Sequence, residues 1–342
     1  MGSLSSMNYE PNYSITPLLV NMIEQIAALR ERIFGATVNV SWIPSLKMDS
    51  MARNAHSSTA IEGNPLTLEQ VRAIEEGREI PAAERSKREI VNYLAGLRHI
   101  EKRSGIDAVR HEDLFELHGI IAGGGVMDQG DAGKYRTINV RVGLHFPPAH
   151  QDVSVLMFDL LEWWNKKAPE LSPIISSAVL HYRFEEIHPF ADGNGRMGRA
   201  LALWDLYRRG FDTQHIFSVD EFYWEDRPRY YVELQTIQQG DGNLTTWVEY
   251  CAEGLLHTLD RVWSRVQKFS AMAVAPKLIL RPKQEKLLSL LQERGRMAPS
   301  EIWETLEISR QGAMDLLNPL MEAGLVVREG SLRSGGYRLK PI

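Results

Sequence analysis

The chain has 342 residues, of which 44% are hydrophobic and 24% carry a charge. This length exceeds the roughly 100–200 residues of one ordinary domain, so two or three globular units are expected. The net charge of -5 excludes a protein that holds nucleic acid through a bulk positive field, and any nucleic-acid contact must therefore be local.

Cysteine content and hydropathy indicate the cellular environment of the protein and whether it enters a membrane. The single cysteine, Cys251, cannot form an intrachain disulfide or a multi-thiolate metal site, which fits a reducing environment. No apolar run reaches the roughly 18 residues needed to cross a bilayer. A cytoplasmic protein without membrane insertion is therefore expected.

Two helices are predicted near the start of the chain. Apolar residues recur at spacings of three and four from Leu19 to Leu29, which is typical of an amphipathic helix. A second helix is predicted from about Ser45 to Ile61, because Gly63 is a good C-terminal cap and Asn64-Pro65 cannot continue the helix.

A capping box and a glycine-rich loop mark the segments that follow. Thr67 lies three residues before Gln70, which is the spacing of a capping box that opens a third helix. Glycines are frequent from 121 to 143, and the alternation of Val140, Arg141 and Val142 ends at the last of them. A loop and a short β-hairpin are predicted over this stretch.

The most informative segment runs from His188 to Arg199 and reads HPFADGNGRMGR. Its three glycines spell the G-x-G-x-x-G pattern of dinucleotide-binding folds, but that pattern requires a preceding buried strand. The apolar spacing from Leu180 to Ile187 is instead that of a helix, and so is the spacing from Met197 to Trp204. A helix, a tight loop and a second helix are therefore predicted.

The loop of this segment offers the groups that a phosphate chain needs. Gly193 to Gly195 can turn successive backbone N–H groups into a concavity at a helix N-terminus, where anions bind. Arg196 and Arg199 lie three residues apart on one helix face and can act as bidentate phosphate partners. Asp192 can hold Mg²⁺ on phosphate oxygens, and His188 can take a proton from an attacking hydroxyl. Together these residues predict a phosphoryl-type transfer.

The segment resembles the signature of Fic-domain proteins, H-x-F-x-[D/E]-G-N-G-R-x-x-R, at every specified position. The similarity extends over about residues 111–250. It implies a mainly α fold, with a Fic-type helical core and a short β-hairpin flap. It also implies a self-inhibited protein adenylyltransferase that transfers AMP from Mg-ATP to Ser, Thr or Tyr hydroxyls of target proteins, including itself.

The resemblance assigns a role to each part of the motif. It makes His188 the catalytic base and Asp192 the metal ligand. Tyr230 or Tyr231 would pack on the adenine, with helix packing as the alternative. The kinase-like branch of the family has a bulkier basic residue where this chain keeps Gly195, which favours adenylyl transfer. The implied phosphate-binding residues are Gly193, Asn194, Gly195, Arg196, Met197, Gly198 and Arg199.

Two segments outside the motif extend the resemblance. Ser58 to Gly63 is similar to the inhibitory motif [S/T]-x-x-x-E-[G/N], so Glu62 is expected to pair with Arg199 and to occupy the place of the ATP γ-phosphate. The hairpin residues 140–142 are expected to dock the target as an added strand. The expected domains are an N-terminal helical region with the inhibitory helix at 7–110, a Fic core at 111–275 and a third unit at 281–342.

The third unit has its own pattern. A linker is predicted after residues 271–276, and residues 281–342 carry ten Lys or Arg against eight Asp or Glu. Arg310 and Gln311 lie near the start of a candidate recognition helix, and DNA binding and a protein-contact or dimerisation role both stay open. The predicted elements, whose order resembles winged-helix domains, are helices at 284–293, from 299 and at 309–323, and strands at 325–328 and 336–339.

Two alternative functions stay open. The chain could be a nucleotide-sensing, DNA-binding transcription regulator, or a Fic enzyme that removes AMP or uses another phospho-donor. The expected partners are ATP, Mg²⁺ and a protein substrate with a hydroxyl acceptor. Self-modification, DNA binding through the third unit and a homodimer are further options, and no membrane partner is expected.

Overall fold

The computed structural model describes residues 9–37, 43–126, 131–211, 215–273, 281–322, 324–330 and 335–340. The chain divides into two compact units, residues 1–266 and 267–342. The described residues are mainly helical and their two strands lie in the second unit, so the mainly α fold is confirmed. None of the described helices is long and apolar enough to span a membrane.

The helices of the first unit are numbered in chain order. The last of them continues past the end of this unit. They are α1 (Pro17–Thr37), α2 (Ile43–Ile61), α3 (Leu68–Glu75), α4 (Glu84–Lys102), α5 (His111–Ala122), α6 (Val153–Lys166), α7 (Pro173–Ile187), α8 (Asn194–Arg208), α9 (Asp220–Glu225), α10 (Arg227–Gln239) and α11 (Thr245–Ala273).

α7 and α8 form the centre of the first unit. Twelve of the fifteen residues of α7 and eleven of the fifteen residues of α8 are buried, so both helices are enclosed on nearly every face. The two helices pack against each other, and α8 also contacts α2, α4 and α5. The loop between α7 and α8, residues 188–193, therefore connects two enclosed helices at the centre of the unit.

The predicted starts and ends of the N-terminal helices agree with the structure. α2 ends at Ile61, and Gly63 follows with a φ of 95°, a left-handed value that favours glycine. Before α3, the Gln70 N–H donates to the Thr67 hydroxyl at 3.3 Å, and the Thr67 N–H donates to the Gln70 side chain at 2.9 Å. The capping box is thus present as predicted.

The predicted β-hairpin before α6 is shorter than expected. Only Val142 and His145 form a bridge, in which each N–H donates to the carbonyl of the other residue at 3.0 and 2.9 Å. An isolated two-stranded hairpin gains little stability without a sheet or helix against it. The segment 134–148, called the flap below, is therefore a loop with one hairpin bridge and not a two-stranded ribbon.

The second unit contains the predicted order of elements. Three helices, α12 (Pro282–Arg294), α13 (Pro299–Thr305) and α14 (Arg310–Glu322), precede two antiparallel strands, β1 (Val326–Glu329) and β2 (Gly336–Leu339). Their apolar side chains, including those of Leu291, Leu317 and Tyr337, form a core of their own. α11 ends at Ala273, and the linker predicted after residue 276 falls within residues 274–280, which lie outside the described residues. The assignment as a winged-helix domain stays a prediction.

Candidate functional site

The loop between α7 and α8 closes on itself through Asn194. The Asn194 side chain accepts a hydrogen bond from the Phe190 N–H at 2.9 Å and donates one to the Phe190 carbonyl at 2.8 Å. Both polar atoms of this buried amide are thereby used within the loop. Gly193 precedes the helix with a φ of 78°. The asparagine shapes the loop, and the backbone N–H groups at the start of α8 are left to face an anion.

A buried histidine from α5 supports the same loop. The His118 ring stacks on Phe190 with centroids 3.7 Å apart and planes 3° apart. Its Nδ1 accepts from the Gly133 N–H at 2.9 Å, and its Nε2 lies 3.0 Å from the Asp192 carbonyl. Burial lowers the pKa of His118 to about 4, so the ring is neutral at pH 7. Sequence reasoning missed this residue, because its partners lie far along the chain.

His188 stands at the end of α7 in a left-handed conformation. Its φ is 50° and its ψ is 60°, which is unusual for a residue other than glycine. Burial lowers the pKa of the His188 imidazole to about 4. Nδ1 lies 3.7 Å from the Glu185 carboxyl group, and burial raises the pKa of that carboxyl to about 8. At pH 7 the imidazole is therefore neutral, and one of its ring nitrogens can accept a proton.

Arg196 is a buried guanidinium with unused hydrogen-bond donors. Its side chain is 5% exposed, and the nearest carboxylate is that of Asp192, 3.9 Å from Nη2. Among the described residues, its Nε and Nη1 have no hydrogen-bond partner. A buried charge with unpaired N–H groups is costly unless an anion completes it. This arginine and the start of α8 together offer N–H donors of the kind that bind an anion.

Arg199 is also buried, but its donors are occupied. Its Nε donates to the Ser58 hydroxyl at 2.9 Å, and its Nη2 donates to the Ser58 carbonyl at 2.9 Å and to the Glu62 carboxylate at 2.8 Å. Asp220 adds a carboxylate oxygen 3.8 Å from Nε. The end of α2 and the residue after it, Glu62, thus supply three of the acceptors that hold this arginine.

Glu62 lies directly over the glycine loop. A Cβ atom placed on Gly195 would be 2.2 Å from the Glu62 Oε1, so a side chain at this position would displace the Glu62 carboxylate. The Tyr231 hydroxyl donates to the Ile61 carbonyl at 3.2 Å, next to Glu62. The expected pairing of Glu62 with Arg199 is present, and the carboxylate stands at the loop that the sequence assigns to phosphate.

Asp192 is the residue expected to bind a metal ion. Its side chain is 55% exposed, and one carboxylate oxygen accepts from the Gly193 N–H at 2.6 Å. In the described part of the chain no group of three or more His, Cys, Asp or Glu side chains could hold a metal ion alone. Mg²⁺ usually binds through one or two carboxylates together with substrate phosphates. An exposed carboxylate beside a phosphate loop fits that pattern.

The two tyrosines expected near an adenine lie in different surroundings. Tyr230 is 1% exposed, and its hydroxyl is 3.1 Å from the His181 Nε2 and 3.4 Å from the Arg199 Nη1. Its ring is enclosed by other aromatic rings and has no open face. This agrees with the alternative that Tyr230 packs between helices. Tyr231 is half-buried, and the Arg227 guanidinium lies 5.4 Å from its ring centre. Adenine packing stays a prediction for Tyr231.

The flap exposes an apolar surface around the residues expected to dock a target. Val140 is half-buried and Arg141 is exposed, with its guanidinium 5.0 Å from the centre of the Phe146 ring. Val142 is 41% exposed and Phe146 is 71% exposed. The flap is anchored at His145, whose Nε2 lies 3.0 Å from the Glu186 carbonyl.

Fold and site together define a helical protein in which two histidines and two buried arginines surround the loop between α7 and α8. The Fic/DOC family model matches residues 108–206, which contain α5 to α7 and most of α8. The chain therefore contains a Fic domain.

Similar proteins carry the same domain. The chain is 36% identical to "Protein adenylyltransferase fic-1" of Caenorhabditis briggsae over 205 residues, which are 58% of this chain and 38% of that protein. It is 31% identical to "Protein adenylyltransferase Fic" of Aedes aegypti over 217 residues, 62% of this chain and 42% of that protein. The chain therefore spans about two fifths of these relatives. The crystal structure of a Fic family protein from Desulfovibrio desulfuricans G20 matches with a TM-score of 0.67 and 27% identity, over 97% of this chain and 98% of that one.

Proposed function

We propose that this protein is a protein adenylyltransferase that transfers AMP from Mg-ATP to Ser, Thr or Tyr hydroxyls of target proteins, including its own. The names of the relatives support this reaction. The observation that carries the proposal is a neutral His188 at the start of the loop and a buried Arg196 in the first turn of the helix that follows it. Two nitrogens of Arg196 have no partner among the described residues. One group can accept a proton and the other can hold a phosphate chain.

The proposed reaction is an in-line displacement at the α-phosphorus. His188 takes the proton from the acceptor hydroxyl, whose oxygen forms a bond to the α-phosphorus as the bond to the bridging oxygen breaks. Pyrophosphate is the leaving group. Arg196 and the N-terminus of α8 stabilise the negative charge on the phosphates. Asp192 would hold Mg²⁺, which when bound neutralises charge on the phosphate oxygens.

We infer that the parent protein is inhibited by Glu62. The carboxylate of this residue is a negative group next to Gly195 and bound to Arg199, where a phosphate group of ATP would otherwise lie. Two anions cannot share this space without strong repulsion. ATP would therefore bind weakly or with its phosphates displaced from the line of attack.

We further propose that the flap docks the target. Backbone pairing aligns a hydroxyl with His188 irrespective of the side chains of the target. The exposed side chains of Val142 and Phe146 support this role, since a target segment would cover them.

The test is the transfer of label from ATP, measured with the parent, with Glu62→Gly and with Glu62→Gly combined with His188→Ala. With Mg²⁺ present, α-labelled ATP is expected to label the Glu62→Gly protein strongly, the parent weakly and the double variant not at all. γ-Labelled ATP is expected to label none of them, which separates adenylyl from phosphoryl transfer. Release of AMP from a labelled target by the parent would favour the AMP-removing alternative.

Two results would contradict parts of the proposal. A parent protein as active as the Glu62→Gly variant would contradict inhibition by Glu62 but would not contradict the transferase activity. Tight ATP binding without any label transfer, together with retention on a specific DNA sequence, would replace the transferase with the nucleotide-sensing regulator.

A further inference from the structure

Arg136 is a buried arginine at the root of the flap. It is 4% exposed, and each of its hydrogen bonds to described residues ends on a backbone carbonyl. Its Nε donates to the His188 carbonyl at 2.9 Å and one of its Nη atoms donates more weakly to the Ile187 carbonyl at 3.4 Å. The Arg136 backbone N–H donates to the Pro189 carbonyl at 2.9 Å. Three consecutive carbonyls around His188 thus share one partner residue.

The same guanidinium also holds both ends of the flap. Its Nη1 donates to the Ile138 carbonyl at 2.9 Å and its Nη2 donates to the Pro148 carbonyl at 2.6 Å. Ile138 lies where the chain leaves the buried root, and Pro148 lies where it returns before α6. One planar group therefore connects the flap to the turn that carries His188.

The chemistry of the guanidinium suits this connection. Its donors form a rigid fork, so the four carbonyls that it binds have a fixed relative geometry. His188 has a left-handed backbone that needs support from its surroundings. A lysine at 136 has one ammonium group on a flexible stem and cannot reach all four carbonyls at once.

We infer that Arg136 is a positioning residue that aligns the His188 imidazole and couples that alignment to the flap. This inference rests on the proposed transfer reaction. Arg136 touches neither ATP nor the acceptor in this role. A target segment that orders the flap therefore also fixes the orientation of His188, because both are held by the Arg136 guanidinium.

The experiment compares Arg136→Lys with a matched control, Arg209→Lys, each in the Glu62→Gly background. Arg209 also donates to three backbone carbonyls, those of Ala168, Pro169 and Leu171, but it lies just beyond the far end of α8. Self-labelling is measured as a function of ATP concentration. Arg136→Lys is expected to lower the maximal rate about 10- to 100-fold, since misplacing a catalytic group by about 1 Å has an effect of this size. The half-saturating ATP concentration is expected to change less than about 3-fold, and Arg209→Lys is expected to change neither.

A second measurement tests the inference without using activity. The His188 imidazole is observed by NMR in labelled protein and assigned from the His188→Ala variant. Arg136→Lys is expected to raise the measured pKa of His188 towards 6.5, because a ring that leaves its buried position regains water. Arg136→Gln, which keeps an amide with two donors, also removes the positive charge that lowers the His188 pKa, so it is expected to raise that pKa more than Arg136→Lys, which keeps the charge.

The outcomes separate the two claims. If Glu62→Gly transfers no label, the proposed reaction fails, and the histidine titration still decides whether Arg136 positions His188. An unchanged His188 pKa in the charge-conserving variant Arg136→Lys would overturn the inference. A rate loss equal to that of Arg209→Lys, or one explained by weaker ATP binding alone, would overturn it as well.

Discussion

Arg196 shows how a single residue can trade stability for binding. Its guanidinium is buried with two nitrogens unpartnered among the described residues, so it raises the free energy of the folded protein when no anion is bound. Arg196→Met keeps much of the volume and removes the charge. We expect the free energy of unfolding without nucleotide to rise by about 1 kcal/mol or more, as measured by urea unfolding.

The same variant should lose nucleotide binding. In the Glu62→Gly background, Arg196→Met is expected to weaken ATP binding at least about tenfold, because a charge-assisted bond to phosphate is lost. Calorimetric titration provides the measurement. A destabilised variant with normal ATP affinity would show that Arg196 is structural.

Gly195 and Glu62 occupy overlapping space, and this makes their mutations interdependent. Gly195→Ala places a methyl group 2.2 Å from the Glu62 Oε1, so the carboxylate must move away and weaken its contact with Arg199, which costs about 1 kcal/mol. We expect this loss in the free energy of unfolding of the parent and a clearly smaller loss in the Glu62→Gly background. A double-mutant cycle by urea unfolding gives the coupling. Equal losses in both backgrounds would mean that the carboxylate does not rest on Gly195.

At the scale of structural elements, docking of a target on the flap can be tested with a single substitution. The Val142 N–H donates to the His145 carbonyl at 3.0 Å, so Val142→Pro removes one of the two bonds of the bridge. In the Glu62→Gly background we expect a several-fold loss of label transfer to a protein target with ATP affinity unchanged. Val142→Ala keeps the N–H and is the control. Equal transfer by the proline variant and its parent would count against docking on the flap.

α2 differs from α7 and α8 in that many of its buried residues are polar. Ser50, Asn54, Ser57, Ser58 and Thr59 are all buried along its length. Its contact with Arg199 runs through hydrogen bonds to Ser58 and Glu62. Apolar contacts contribute less to holding α2 against its neighbours than they do for α7. Substitutions at the polar positions of α2 should therefore affect inhibition more than overall folding.

At the scale of the whole molecule, acid should destabilise the protein through its buried histidines. The pKa of His118 is lowered to about 4 from 6.5, so the unfolded chain binds more protons than the folded one between these values. The contribution of this group to stability is complete above about pH 6.5 and is lost as pH falls towards 4. The full loss is roughly 3 kcal/mol, at 1.36 kcal/mol per pKa unit.

A variant isolates this contribution from those of other groups. His118→Gln should be less stable than the parent at pH 7 but should lose less free energy of unfolding between pH 6.5 and 4. Urea unfolding at a series of pH values measures the difference between the two proteins, in which shared carboxylates cancel. Parallel pH curves would show that His118 is not held neutral by the fold.

The sequence alone predicted those structural features that depend on residues close together along the chain. The end of α2 at Ile61, the capping box at Thr67 and the helix, loop and helix around the motif are local patterns, and each was found. The flap was overestimated, because alternation at 140–142 predicts a strand but cannot show whether anything pairs with it. Arg136 and His118 were missed as site residues, since their roles arise from backbone partners 52 and 74 residues away.

The contact between Glu62 and Arg199 joins residues 137 positions apart in one chain. An anion held by the fold of its own chain acts at a local concentration that dilution does not change, on the order of millimolar even for a flexible tether. Proposed inhibition of this kind would be equally strong in a dilute and in a concentrated solution of the protein. Free phosphate or acetate would have to compete with that local concentration, and the number of enzyme molecules in the cell would have no influence on the inhibited fraction.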